Sequence, residues 1–172
     1  MADPVDRAAP PRRLLNSLGA LACAAMLVTA VYYFQGALGL EPCPLCMFQR
    51  VGVGATGIAF LLAALHHPRR FGARVYGGLI LLFAVATAGV AARHIYVQHA
   101  PAGSVPSCGA PLDAMIRMFP ITTVIEKVLR GGGECARIDW SLLGLSMPEW
   151  VLIAALALGI LGVVANARFS PR

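Results

Sequence analysis

Cys43-Pro44-Leu45-Cys46 is the stretch of this 172-residue chain whose residue types and spacing speak most directly of chemistry. Proline suits the first turn of a helix, where its missing N–H would have been unpaired anyway. The motif therefore predicts a helix start. Spacing i, i+3 sets both sulfurs on one helix face, close enough for a disulfide after modest adjustment of that turn. A helix N-terminus also carries partial positive charge, which favours thiolate over thiol. The pair is expected to cycle between dithiol and disulfide.

Arg50 follows Cys46 by four residues and shares its face. An arginine at the edge of an apolar segment is costly unless it snorkels or finds a partner. Here it can stabilise a Cys46 thiolate or, equally, negative charge on a quinone carbonyl undergoing reduction. His94 is a second polar group expected at that depth, able to donate to a quinone oxygen, or simply a helix-end histidine. Arg93 and Gln98 are weaker candidates. Two more cysteines, Cys108 and Cys135, lie far downstream, and Cys23 sits alone in an apolar run, where it reads as a small packing residue.

These residues need elements to position them. With 58% hydrophobic and 13% charged residues and a mean hydropathy of +0.72, the chain reads as one small membrane domain, an all-α bundle. Four windows meet the requirement of about 20 apolar residues for a crossing: Leu14 to Phe34, Met47 to Leu65, Val75 to Ala92 and Pro148 to Ala167. The first is too long for a signal-peptide core and lacks a clean cleavage site before Glu41. Four crossings would leave both termini on one side. Arg7, Arg12, Arg13, Arg69, Arg70, Arg74, Arg168 and Arg172 fall on that side, whereas basic and acidic residues balance on the other. The positive-inside rule makes the basic face cytoplasmic. These arginines flank spans and form no aromatic-interleaved patch, which argues against nucleic-acid binding despite the basic pI.

The exported side then holds a short loop, roughly 35–46, and a long one, roughly 93–147, with four of the five cysteines between them. An exported compartment is where disulfides form and persist. The front of the long loop, Pro101 to Pro111, is rich in Pro, Gly and Ser and should be irregular. Apolar clusters from Ala114 to Leu129, interrupted at Pro120, predict two short amphipathic helices lying on the membrane surface. Trp140 and Trp150 bracket the entry to the last span, as interfacial aromatics do.

Taken together, Glu41-Pro-Cys-Pro-Leu-Cys-Met-Phe-Gln-Arg50, Arg93-His94, Pro106-Ser-Cys108, Gly133-Glu-Cys135-Ala-Arg-Ile-Asp-Trp140 and Leu143-Gly-Leu-Ser-Met-Pro-Glu-Trp150 resemble the disulfide bond formation protein B (DsbB) family over about Leu14 to Ala167. That resemblance implies a bacterial inner-membrane enzyme with its active cysteines on the periplasmic side. It implies electron flow from a soluble DsbA-like, thioredoxin-fold partner into ubiquinone or menaquinone. The partner would attack a Cys108–Cys135 disulfide at Cys108, and Cys135 would attack Cys43. Cys46 would then be freed beside Arg50 and the quinone. The division of labour is physically sensible: exchange with a protein needs access, quinone needs a lipid-facing sulfur, and Cys46 is one helical turn deeper than Cys43. Gln49 departs from the acidic residue some relatives carry, and Cys23 lies outside the four-thiol pattern.

Two readings from other classes compete. Four thiolates could hold zinc, but 26 residues separate the second pair rather than two to four. A scaffold with static disulfides fits poorly, because a bridge across so short a loop gains little chain entropy. A vitamin K epoxide reductase-like enzyme shares the chemistry, but its C-x-x-C comes late in the chain.

Overall fold

The structure is a computed structural model that describes residues 12–66, 68, 70–101 and 112–167. Cys108 and the arginines at 7, 69, 168 and 172 lie outside the described residues. Four long helices dominate. α1 (Arg12–Val28) continues directly into a π-helical stretch, Thr29–Ala37, and is followed by α2 (Pro44–His66), α3 (Arg70–Gln98) and, near the C-terminus, α7 (Met147–Ala167). Their apolar spans of 26, 23, 28 and 20 residues are each long enough to cross a hydrocarbon core. Outward positions such as Leu21, Leu82 and Ile160 are exposed leucines and isoleucines, as a surface facing lipid requires. The chain is thus an all-α, four-helix, multi-pass membrane protein.

Helices adjacent in sequence pack antiparallel: α1 against α2, α2 against α3, and α3 against α7, with α7 also touching α1. Small residues permit this closeness, as in membrane helices generally. A Cβ on Gly19 would stand 2.7 Å from the ring of fully buried Phe60, and one on Gly57 would stand 2.8 Å from the Cβ of Cys23. Cys23 is therefore a packing residue wedged between α1 and α2.

Several helix ends reach beyond the hydropathy windows, and two of these extensions move chemistry into a helix. α2 starts at Pro44, so Cys46 lies in its first turn. α3 runs to Gln98, not Ala92, which places Arg93 and His94 within the helix rather than in the following loop. A polar residue ends an apolar window, but it ends a helix only if its side chain needs the chain to turn away. Both side chains find partners without that.

Between α3 and α7 lie α4 (Leu112–Met118), α5 (Ile121–Arg130) and the single turn α6 (Gly133–Ala136). Pro120 separates α4 from α5 with an extended backbone, as its position in the sequence predicts. α5 buries Val124 and Val128 along one face. A hairpin follows, β1 (Ser141–Leu142) with β2 (Leu145–Ser146), paired Ser141 to Ser146 and Leu142 to Leu145. Its two-residue turn, Leu143 at φ 55° and Gly144 at φ 79°, has the positive angles of a type I′ turn. The hairpin delivers Ser146 to the N-terminus of α7. Glu149 reaches back there to accept from the Ser146 N–H at 2.5 Å, one half of a capping box. The Ser146 hydroxyl also lies 3.0 Å from Gln98 Oε1, which ties α7 to the end of α3.

Candidate active site

The N-terminus of α2, the last turns of α3 and the α6 turn converge at one end of the bundle. Their buried residues Cys43, Leu45, Val97, Met115, Val124, Val128 and Cys135 form one apolar cluster, against which Cys46 and Phe48 also pack. The first four N–H groups of a helix have no intrahelical acceptor, and in α2 two such groups belong to Leu45 and Cys46. Here both meet sulfur. The Cys46 N–H points at Cys43 Sγ at 3.4 Å, making Cys43 a sulfur N-cap, and the Leu45 backbone hydrogen-bonds the sulfur of Cys135.

Cys43 and Cys46 are free thiols with Sγ atoms 3.3 Å apart. Cys43 is buried, while Cys46 is the more accessible of the two. Cys135 is 1% exposed and its thiol hydrogen-bonds Cys43. That bond, together with burial, pushes its pKa well above the ordinary thiol range. The fold therefore gathers three of the four expected redox cysteines, with Cys43 in contact with both of the others and Cys135 89 or more positions away in sequence.

His94 organises this cluster. It is 3% exposed, with Nε2 3.1 Å from the Cys135 carbonyl and 3.7 Å from Cys43 Sγ. Nδ1 lies 3.0 Å from Gln49 Nε2 and 4.0 Å from Cys46 Sγ. With the Gln49 amide donating to Nδ1, the proton sits on Nε2 and is donated to the Cys135 carbonyl. One imidazole thus touches both members of the C-x-x-C pair and the backbone of the third cysteine.

Arg50 stays within electrostatic reach of Cys46, but its hydrogen bonds are made on the other side. Its guanidinium donates to the Ala30 carbonyl and to Gln35 Oε1, both at 2.9 Å, bridging α2 to the π-helical end of α1. A π-helix shifts the backbone register, and such stretches often mark functional sites. The same end of α1 carries Phe34, whose ring meets Trp140 edge-on with centroids 4.9 Å apart. Arg93 also has a task the sequence concealed: its Nε and Nη2 donate to the carbonyls of Leu129 and Arg130 at 2.7 and 2.8 Å.

Two chemistries fit this donor set. The ligand atoms of Cys43, Cys46 and His94 all lie within 4.8 Å of one another, a spacing that a soft cation such as zinc accepts. The same contacts suit thiol–disulfide exchange, since an attacking sulfur already rests beside its target.

Comparison with known proteins decides the matter. The family model described as "Disulfide bond formation protein DsbB" matches residues 12–165. The chain belongs to the DsbB family. It is 47% identical over 150 residues to a disulfide bond formation protein B of Methylococcus capsulatus, covering 87% of this chain and 91% of that relative. Relatives with the same description from Nitrosococcus oceani (47% over 151 residues, 88% and 89% covered) and Chromobacterium violaceum (48% over 136 residues, 79% and 81% covered) are similar over comparable lengths. The chain is accordingly a disulfide oxidoreductase that serves disulfide bond formation. Gln49, singled out in the sequence only for departing from the acid some relatives carry, is the hydrogen-bond partner of His94.

Proposed function

We propose that this chain sits in the bacterial inner membrane with both termini cytoplasmic, and that on the periplasmic side it oxidises a soluble DsbA-like dithiol protein at the expense of membrane quinone. The observation that carries the reading is the sulfur of Cys135 held against Cys43 at the head of α2. That contact is where two cysteine pairs from separate loops can exchange.

The electrons balance as follows. A partner thiolate attacks Cys108 of a Cys108–Cys135 disulfide, forming a mixed disulfide and releasing Cys135 as thiolate. Cys135 attacks Cys43 of the Cys43–Cys46 disulfide, and Cys46 leaves. The partner's second thiol resolves the mixed disulfide and departs oxidised. Cys108 then recovers Cys135, so Cys43 and Cys46 hold the two electrons as a dithiol. A quinone, ubiquinone or menaquinone, accepts two electrons and two protons as the Cys43–Cys46 bond re-forms.

The residues at this end suit each step. Cys46 is the more accessible sulfur and the better placed to meet a lipid-borne substrate. His94 can hold and return a proton beside both sulfurs, and Arg50 supplies fixed positive charge one turn away on α2. Arg50's bonds to α1 make it a wall between α1 and α2 as much as an electrostatic partner of Cys46. The basic termini and the Leu65 to Val75 turn favour the cytoplasm for the opposite end.

The test is anaerobic mixing of the purified protein with a reduced thioredoxin-fold partner and ubiquinone or menaquinone, following quinone absorbance. Loss of one quinone per partner dithiol oxidised is expected. Absence of partner-dependent quinone reduction with either quinone overturns the proposal.

A further inference from the structure

Three residues in the last turns of α3 grip one short segment of the long loop at three points. Arg93 donates to the Leu129 and Arg130 carbonyls at 2.7 and 2.8 Å, Val97 packs on Gly131, and His94 holds the Cys135 carbonyl at 3.1 Å. Within these seven residues the backbone passes from the end of α5 to the redox sulfur. The last carbonyls of a helix have no intrahelical donors, and a cation placed there is favoured by the helix dipole. Arg93 meets both requirements for α5, while stacking its guanidinium 5.0 Å from the Tyr96 ring on its own helix.

Gly131 makes the grip close. Its φ is 79°, a value that favours glycine, and a Cβ there would stand 2.8 Å from Val97 Cγ2. The chain turns at this point, and Gly132 and Gly133 lead directly into the turn that carries Cys135. Without the grip, three glycines in succession would leave that cysteine on a flexible tether.

We infer that Arg93 is a positioning residue: by capping the C-terminus of α5 it parks Cys135 against Cys43, and its loss frees Cys135 to leave that contact. The inference rests on the proposed thiol relay. It adds a residue that touches none of the reacting atoms and sets how much of the time the two cysteine pairs are in contact.

The experiment uses the full-length protein in lipid nanodiscs, as wild type, Arg93→Gln and Arg93→Lys. Site-resolved maleimide labelling of the fully reduced protein reads whether Cys135 is parked. Quinone reduction driven by a reduced thioredoxin-fold protein, set against that driven by a small dithiol acting directly on Cys43–Cys46, reads the relay. In Arg93→Gln, labelling of Cys135 should accelerate roughly three- to tenfold, and the protein-driven to dithiol-driven ratio should fall by a similar factor. Arg93→Lys should recover part of both. If Arg93→Gln does not accumulate folded, Gly131→Ala loosens the same segment with Arg93 intact and should give the same signature. Unchanged labelling and an unchanged ratio in whichever variant folds overturn the inference. Failure of quinone reduction in the wild type would instead overturn the proposed function, and the labelling would still report on Arg93.

Discussion

The two ends of the helix bundle both bury polar groups, but they use them differently. At the end away from the cysteines, Asn16 on α1 and Asn166 on α7 exchange amide hydrogen bonds of 3.3 and 3.0 Å, and Asn166 also donates to the Gly162 carbonyl. Arg12 donates to the Pro68 carbonyl nearby. Those bonds join rigid helices and turns. At the other end, the contacts run through sulfur at 3.3 to 4.0 Å, and one partner, Cys135, arrives on a glycine-rich segment. Amide pairs in low dielectric fasten, whereas soft sulfur contacts hold groups near each other without committing them. The comparison teaches that polar burial in this fold serves both to clasp helices and to gather thiols.

The sharpest way to break that contrast is to replace one polar side chain at each end. Cys46→Ser should lower quinone reduction by roughly a thousandfold or more, measured by quinone absorbance, because the sulfur that must leave and return is gone. Asn166→Leu should keep turnover within about twofold, since it touches no reacting group. A comparable loss in both variants would dissolve the distinction.

Next in size is His94→Ala. It removes the proton carrier proposed above from beside two sulfurs and a tether from the Cys135 backbone, and a loss of about a hundredfold in turnover is expected. Steady-state rates with a protein partner and with a small dithiol should both fall, unlike those of the Arg93 variants.

The clasp should show itself in stability instead. Asn16→Ala leaves Asn166 buried and missing a partner, which should cost about 1–3 kcal/mol in reversible denaturation. Replacing both asparagines by leucine should recover most of that loss, while turnover stays near wild type throughout.

A pH effect separates the ends further. The Cys135 pKa is raised in the folded state by its bond to Cys43 and by burial. The stabilisation it lends to the parked, reduced loop is therefore complete below the ordinary thiol pKa of about 8.5 and is lost as pH rises above it. Limited proteolysis between α5 and α6 in the reduced protein should accelerate above pH 9 and be flat from pH 6 to 8. The smallest effect belongs to Cys23→Ala: about 1 kcal/mol or less of stability, with turnover unchanged.

Much of this was legible in the sequence because membrane physics is strict about length and polarity. Four apolar windows, the proline that opens α2 and the break at Pro120 all follow from local rules, and the family resemblance rests on motifs that survive in a single chain. What was not legible depends on contacts between distant segments. Hydropathy ended the third span at Ala92, because it cannot know that Arg93 has α5 to cap and His94 has Cys135 to hold. Helical spacing set Arg50 on the face of Cys46, but its hydrogen bonds to Ala30 and Gln35 of the π-helical stretch depend on the packing of α1 and that stretch on α2. The hairpin at 141–146 escaped notice because Leu143 takes a positive φ that its residue type disfavours.

The central claim is that the two cysteine pairs exchange through Cys43 and Cys135. Rapid acid quenching of a single turnover with a reduced partner, followed by mass-spectrometric mapping of disulfides, tests it directly. A Cys43–Cys135 disulfide that rises and decays before quinone reduction is complete is the predicted result. Turnover at full rate with no such species, or undiminished partner oxidation by Cys135→Ser, would contradict it.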